Sequence, residues 1–239
     1  MNLLDTLSQQ METRLKGGIY HRTQVDFAYN SNHMEGSRLT AEQTRYIFET
    51  NTVGVAGGGA VNVDDVIEAK NHFRCVDYII AHAREPLSED MVKRLHYILK
   101  AGTSDADREW FAVGEYKRLP NEVGGIETVA PEQVAEAMAE LLAEYAALPA
   151  VGLDDILDFH RRFEAIHPFQ DGNGRVGRLV MFKECLRFGI VPFIITDDLK
   201  MFYHLGLREW PQVREYLRDT SLTAQDSYKT LLGYFRVDC

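Results

Sequence analysis

The chain has 239 residues, 45% of them hydrophobic, with 26 Lys and Arg against 36 Asp and Glu and a formal net charge of −10. That length and apolar fraction support a packed globular core, while the acidic balance argues against nonspecific binding to nucleic acid or an anionic membrane. No apolar run approaches the ~20 residues that span a bilayer, and charge arrives too early in Met1-Asn2-Leu3-Leu4-Asp5 for a signal peptide.

Apolar spacing predicts a mainly helical, all-α chain, with helices at about 3–16, 20–35, 41–50, 64–83, 89–101, 131–147, 153–166, 175–188, 198–208 and 211–233. Ser31 and Glu35 lie four apart and share a helix face. Gly36 suits the left-handed residue that ends a helix. Thr40-Ala41-Glu42-Gln43 has the capping-box pattern of a new start. The run Val53-Gly54-Val55-Ala56-Gly57-Gly58-Gly59 lacks the Lys-Ser/Thr of a phosphate loop and reads as a flexible linker. Asp64, Asp65 and Ser88 are helix-start signals, and Gly102 is a stop. Glu68 and Asn71 read as packing or hydrogen-bonding residues. Between Phe111 and Gly125, Gly and Pro punctuate the chain, and two short β-capable pieces flank Asn121–Gly125 as a surface hairpin. Cys75, Cys185 and Cys239 are odd in number and lack metal-ligand spacing, which fits a reducing compartment, so a cytoplasmic location is expected.

The most informative stretch is His167-Pro168-Phe169-Gln170-Asp171-Gly172-Asn173-Gly174-Arg175-Val176-Gly177-Arg178. Gly172-Asn173-Gly174 tolerates left-handed backbone angles and can gather amide N–H groups into an anion nest. That nest precedes a helix, whose N-terminal dipole also favours negative charge. Arg175 and Arg178 are neighbours on the helix surface, and guanidinium forks suit phosphate oxygens. Asp171 suits Mg²⁺ or Mn²⁺, since a hard cation takes a carboxylate beside substrate phosphates. His167 is the one group here that accepts a proton near neutral pH. Pro168 biases His167 toward an extended backbone, so the preceding helix should stop there.

This segment resembles the signature of the Fic family, His-Pro-Phe-x-Asp-Gly-Asn-Gly-Arg-x-x-Arg, and the match is complete. The run His160–Ile166 is similar to the helix leading into that motif. The resemblance implies a single Fic-type domain over 1–239, with a catalytic core at about 153–190. It implies a protein adenylyltransferase that moves AMP from ATP to a Ser, Thr or Tyr hydroxyl of a target protein, or of itself, with Mg²⁺ or Mn²⁺. His167 would deprotonate the hydroxyl and Asp171 would hold the metal. Gly172, Asn173 and Gly174 would form the anion hole, with Arg175 and Arg178 on the outer phosphates.

Ser31 through Gly36 resembles the family's inhibitory helix, here at about 24–35, in which Glu35 would occupy Arg178. The stretch at about 111–127 resembles its flap, with Lys117, Val123 and Gly124 facing the target. Lys117 stands where the family often has Arg. Tyr203 would stack on adenine. Trp210 replaces a polar residue of some relatives. Two other readings stay open: removal of AMP through a water oriented by Glu35, and an ATP-sensing module that Glu35 keeps silent. The target protein and self-association are not encoded in any motif.

Overall fold

The structure, a computed structural model, describes residues 2–55 and 59–238; Cys239 and the Ala56–Gly58 part of the expected linker lie outside the described residues. Helices dominate because each predicted apolar stripe finds a partner. In chain order they are α1 (Leu3–Thr13), α2 (Ile19–Met34), α3 (Ala41–Thr50), α4 (Val63–Ala81), α5 (Glu89–Lys100), α6 (Pro131–Ala146), α7 (Leu153–Ile166), α8 (Asn173–Phe188), α9 (Lys200–Glu209) and α10 (Glu215–Phe235). Two 3₁₀ turns, Ser104–Asp107 and Asp197–Leu199, complete the helical elements among the described residues.

Side-chain caps set several starts. Asn2, Thr40, Asn62 and Ser88 each accept a backbone N–H of the first turn, and Thr40 and Gln43 form the full capping box. Asn62 is therefore the cap of α4, and Asp64 and Asp65 sit inside its first turn rather than before it. α1 stops at Thr13, short of the expected 16, because Arg14 turns left-handed and its N–H returns to Gln10 and Met11 carbonyls. α10 begins at Glu215 rather than 211: the Gln212 and Val213 N–H groups bond back to the Glu209 carbonyl, and this turn consumes the residues after Pro211. The expected hairpin is present, with its first strand placed later than expected. Strands β1 (Glu122–Val123) and β2 (Ile126–Glu127) pair antiparallel; β2 follows Asn121–Gly125 as expected, whereas β1 lies inside that stretch. Gly124 and Gly125 both have positive φ, which the two-residue turn requires.

α8 is the centre of the molecule. It packs against α7, α4, α5 and α2, and nearly every residue from Arg175 to Leu186 is buried. A helix covered on all sides loses the one-sided apolar stripe of a surface helix. Its Val176, Leu179 and Val180 join Leu7, Phe27, Val76, Leu95 and Phe163 in the main core. A second core under α9 and α10 holds Leu157, Met181, Tyr203, Trp210 and Leu217. There Gly206 lets the two helices touch, since a Cβ at that position would overlap the Leu217 backbone. A third cluster of Ala28, Leu39, Ile47, Ala69 and Phe73 binds α2, α3 and α4. Among the described residues no helix is long and apolar enough to cross a membrane.

Replacing fully buried Leu179 by Ala leaves a cavity in the helix that carries the motif. The variant is expected to lose about 2–5 kcal/mol of unfolding free energy, measured as a lower urea midpoint at unchanged slope.

Candidate active site

The motif loop joins α7 to α8 and is pinned from several sides. His167 caps α7 with φ 51° and ψ 62°, and its N–H bonds to the Phe163 carbonyl at 2.9 Å. The helix stops where Pro168 predicts, but His167 is left-handed rather than extended. The clash with proline excludes the right-handed helical well, and the left-handed well lets the His167 N–H close the last turn. A non-glycine residue held there is strained, by about 1–2 kcal/mol. Asn173 offsets that strain by bracketing the loop. Its Oδ1 accepts the Phe169 N–H and its Nδ2 donates to the Phe169 carbonyl, both at 2.8 Å.

His96 supports the loop from α5. The Gly114 N–H donates to its Nδ1 at 2.9 Å, so Nε2 carries the proton and donates to the Asp171 carbonyl at 3.1 Å. Its ring stacks on Phe169 with centroids 4.0 Å apart. Burial pushes the His96 imidazole down to about 3, so it remains neutral.

Gly172, at φ 84°, is the N-cap of α8. The first intrahelical bond is Val176 N–H to the Gly172 carbonyl at 3.0 Å. The amides of Asn173, Gly174 and Arg175 precede it and carry the positive end of the helix dipole.

The two arginines of the motif have different surroundings. Arg175 is buried and pairs with Glu68 and with Asp171 Oδ2, the latter at 3.0 Å. Lys100, also buried, donates to Glu68 at 2.6 Å and to Asp171 Oδ2 at 2.7 Å. Arg178 reaches α2 instead. Its Nε donates to Ser31 Oγ at 3.1 Å, and its second guanidinium nitrogen to the Ser31 carbonyl at 3.0 Å and to Glu35 Oε1 at 2.7 Å. Glu35 is the C-cap of α2, with Gly36 at φ 97° after it. Gly174 makes room for this contact, because a Cβ there would overlap Glu35 Oε1.

The electrostatics follow from these contacts. Burial would raise the Glu35 carboxyl, but the Arg178 charge and hydrogen bond outweigh it and hold it below its ordinary value. Burial would likewise raise Asp171, and Arg175 and Lys100 together drive it well below the carboxylate range. Burial lowers His167 to about 4, with the Lys117 charge adding to the effect. Burial raises Glu164 to about 8, against the opposing Arg178 charge.

A cleft of about 640 Å³ opens over this constellation. Glu35, Glu164, His167, Gly174, Arg178 and Tyr203 line its inner wall, and Val123, Gly124 and Thr128 of the hairpin line its rim. The volume suits a small-molecule ligand. Tyr203 borders the cleft but is otherwise buried, and its hydroxyl lies 2.6 Å from His160 Nε2. Trp210 is in the core, donating to Asp158 Oδ1 at 2.8 Å. Lys117 is 4% exposed and sits beneath the hairpin, whereas Val123 is 47% exposed at its tip.

Asn71 donates to the carbonyls of Leu99 and Ala101, tying α4 to the end of α5. Glu68 does more than pack, since it neutralises both Arg175 and Lys100. Sequence reasoning missed Lys100, His96 and Glu164. Lys100 reads locally as an ordinary basic residue in a last helical turn; one carboxylate partner, Asp105, is five residues on, but Glu68 and Asp171 lie 32 and 71 residues away. A metal site is testable at Asp171: its side chain is 47% exposed, ionised, and beside the N-terminus of α8, so the residues present fit a hard cation held by one carboxylate.

Comparison with known proteins adds kinship. A model of the Fic/DOC family matches residues 86–185. The protein adenylyltransferase fic-1 of Caenorhabditis briggsae is 24% identical over 213 residues, covering 87% of this chain and 41% of that protein. The protein adenylyltransferase Fic of Drosophila willistoni is 28% identical over 197 residues, covering 80% and 38%. The chain thus spans about two fifths of the length of the curated relatives it matches. A Fic-domain-containing signaling protein from Bacteroides thetaiotaomicron superposes with TM-score 0.74 at 24% identity, covering 96% of this chain and 94% of that one. A segment of Fic-1 from C. elegans gives 0.71 at 18%, covering 98% and 71%. Those two likenesses establish the fold.

The His167 imidazole is expected to titrate at about 4 by NMR of its ring protons. In the unfolded chain it takes a proton near ~6.5. Stability of the parent relative to His167→Gln should therefore fall as pH drops from about 6.5 to about 4 and change no further below.

Proposed function

We propose, from the match of residues 86–185 to a model of the Fic/DOC family, that this chain is a Fic-type enzyme transferring AMP from ATP to a Ser, Thr or Tyr hydroxyl of a protein. The observation that carries this reading is the shared cleft: a neutral imidazole, a helix N-terminus and a guanidinium open into one volume of about 640 Å³. In-line attack on the α-phosphorus asks for positioning and charge stabilisation more than covalent help. His167 accepts the hydroxyl proton as the new O–P bond forms and the bond to pyrophosphate breaks. Its depressed basicity keeps it unprotonated and ready across the neutral range. The amides of Asn173, Gly174 and Arg175 stabilise the oxygens that gain charge.

Asp171 would hold Mg²⁺ or Mn²⁺, which supplies charge neutralisation on the phosphates when bound. Arg175, committed to Glu68 and Asp171, acts on ATP by fixing that carboxylate, with one edge toward the phosphates. Arg178 is the guanidinium that would grip the terminal phosphate. Tyr203 borders the space left for the base. Val123 and Gly124 at the hairpin tip present backbone to an extended target segment, the strand-addition mode that needs little side-chain identity. ATP and an exposed hydroxyl on a partner protein are the substrates, and the cytoplasm is the compartment that supplies both.

Glu35 makes the resting state inhibited. Its carboxylate takes the Arg178 donor that a phosphate would use and lies over Gly174 at the mouth of the amide nest. ATP bound beside it is misaligned for attack. Shifting an equilibrium from 1% to 99% competent takes about 5.5 kcal/mol, and a largely buried, hydrogen-bonded pair supplies a substantial part of that.

Incubation of the parent, Glu35→Gly and His167→Ala with α-labelled ATP, divalent metal and lysate checks both claims. Label on protein is expected to rise strongly in Glu35→Gly. Adding His167→Ala to it should lower the rate by about 10²–10⁴-fold. If Glu35→Gly incorporates no more label than the parent, inhibition by this pair is wrong. Label arriving only from γ-labelled ATP would replace nucleotidyl transfer with phosphoryl transfer.

A further inference from the structure

Lys117 carries a charge that nothing nearby cancels. It is 4% exposed, and among the described residues no carboxylate forms an ion pair with it. Its ammonium donates to three neutral acceptors: Asn121 Oδ1 at 2.7 Å, Thr128 Oγ1 at 2.5 Å and the Ile166 carbonyl at 3.4 Å. A buried ammonium without a counter-ion is expensive, so a methionine of similar length would serve packing alone at lower cost.

The acceptors explain the arrangement. Asn121 and Thr128 stand at the two feet of the hairpin, on either side of β1 and β2, and Ile166 is the last residue of α7, immediately before His167. Other bonds run the same way. The Lys117 N–H donates to the Pro168 carbonyl at 2.8 Å, Asn121 Nδ2 to the Phe169 carbonyl at 3.1 Å, and the Leu119 N–H to Gln170 Oε1 at 3.2 Å. The hairpin itself has only two residues in each strand, too few to hold a register in water. Its geometry must come from its base.

We propose that Lys117 is a positioning residue that clamps both feet of the flap to the backbone on either side of His167, so that a target segment paired with the flap is held at a fixed distance from the base. Three donors on one compact, flexible head can satisfy three acceptors that converge from two strands and a loop. The proximity of that head has a second consequence. Its charge faces the His167 imidazole, together with those of Asp171 and Glu35, and it opposes protonation. Burial in turn lowers Lys117 to about 8, as expected for an ammonium removed from water without a counter-ion. The role in target placement rests on the proposed transfer reaction, whereas the clamp is a property of the unliganded chain.

The test uses the full chain without nucleotide. Hydrogen exchange at amides 118–128 in Lys117→Met is expected to quicken by about tenfold or more, with α7 and α8 unchanged. Lys117→Arg, which keeps a buried multi-donor cation, should retain slow exchange. The His167 midpoint by NMR should rise toward the ordinary imidazole range in Lys117→Met and stay low in Lys117→Arg. Asn121→Ala, which removes an acceptor and leaves the lysine, should loosen the same segment and serves if Lys117→Met fails to fold. Flap exchange unaltered in both Lys117→Met and Asn121→Ala, or as fast in Lys117→Arg as in Lys117→Met, overturns the clamp. Because no step needs ATP, failure here is distinct from failure of the transfer reaction.

Discussion

A guanidinium enclosed by a helical core must find acceptors, and Arg178 finds them on α2, 143 and 147 residues away in the chain. This requirement ties the end of α2 to α8, beside the packing of Phe27 on Phe182. Ser31 gives its hydroxyl and carbonyl, Glu35 gives a carboxylate, and the small Gly174 admits that carboxylate to the helix end. The same contact places a carboxylate at the N-terminus of α8. On the proposed reading, structural satisfaction of Arg178 and occlusion of the phosphate site would be one interaction. A ligand that takes Arg178 must supply acceptors at least as good as those it displaces.

The first two turns of α8 bury two arginines and divide their duties. Arg175 is locked, with Lys100, into a network of five charges that Glu68, Asp171 and Asp105 complete. Two cations share three carboxylates, Asp105 being the third partner of Lys100 at 3.3 Å, so each buried cation is compensated where isolated charge is costly. The by-product is a half-exposed Asp171 held ionised by the buried Arg175 and Lys100. Arg178, by contrast, lies outside that network and pairs with the C-terminal turn of α2.

Preorganisation is the common feature of the loop between α7 and α8. Asn173 brackets Phe169, His96 stacks beneath it, and the base of the hairpin bonds to three successive residues of the loop, from Pro168 to Gln170. These bonds hold His167 in a backbone conformation that it would seldom adopt alone. Dipoles and acceptors that are already aimed need no rearrangement when charge develops.

Helix positions were legible in the sequence because they rest on local signals: the 3.6-residue spacing of apolar side chains and caps such as Thr40 and Ser88. The motif was legible for a related reason, since His167 to Arg178 are contiguous and any fold brings them together. Two-residue strands have no periodicity to read, so the place of β1 was missed. The late start of α10 depends on backbone bonds to Glu209 that composition does not announce. What packing alone decided is which charges meet. Lys100 could have been a solvated helix end, and Lys117 a target contact. Only the crossing of α4 and α5 over α8, and the folding of the hairpin base onto the loop, removed both ammonium groups from water and chose their partners. Burial and pairing are properties of a neighbourhood assembled from distant segments, and the chemistry of a residue type does not contain them.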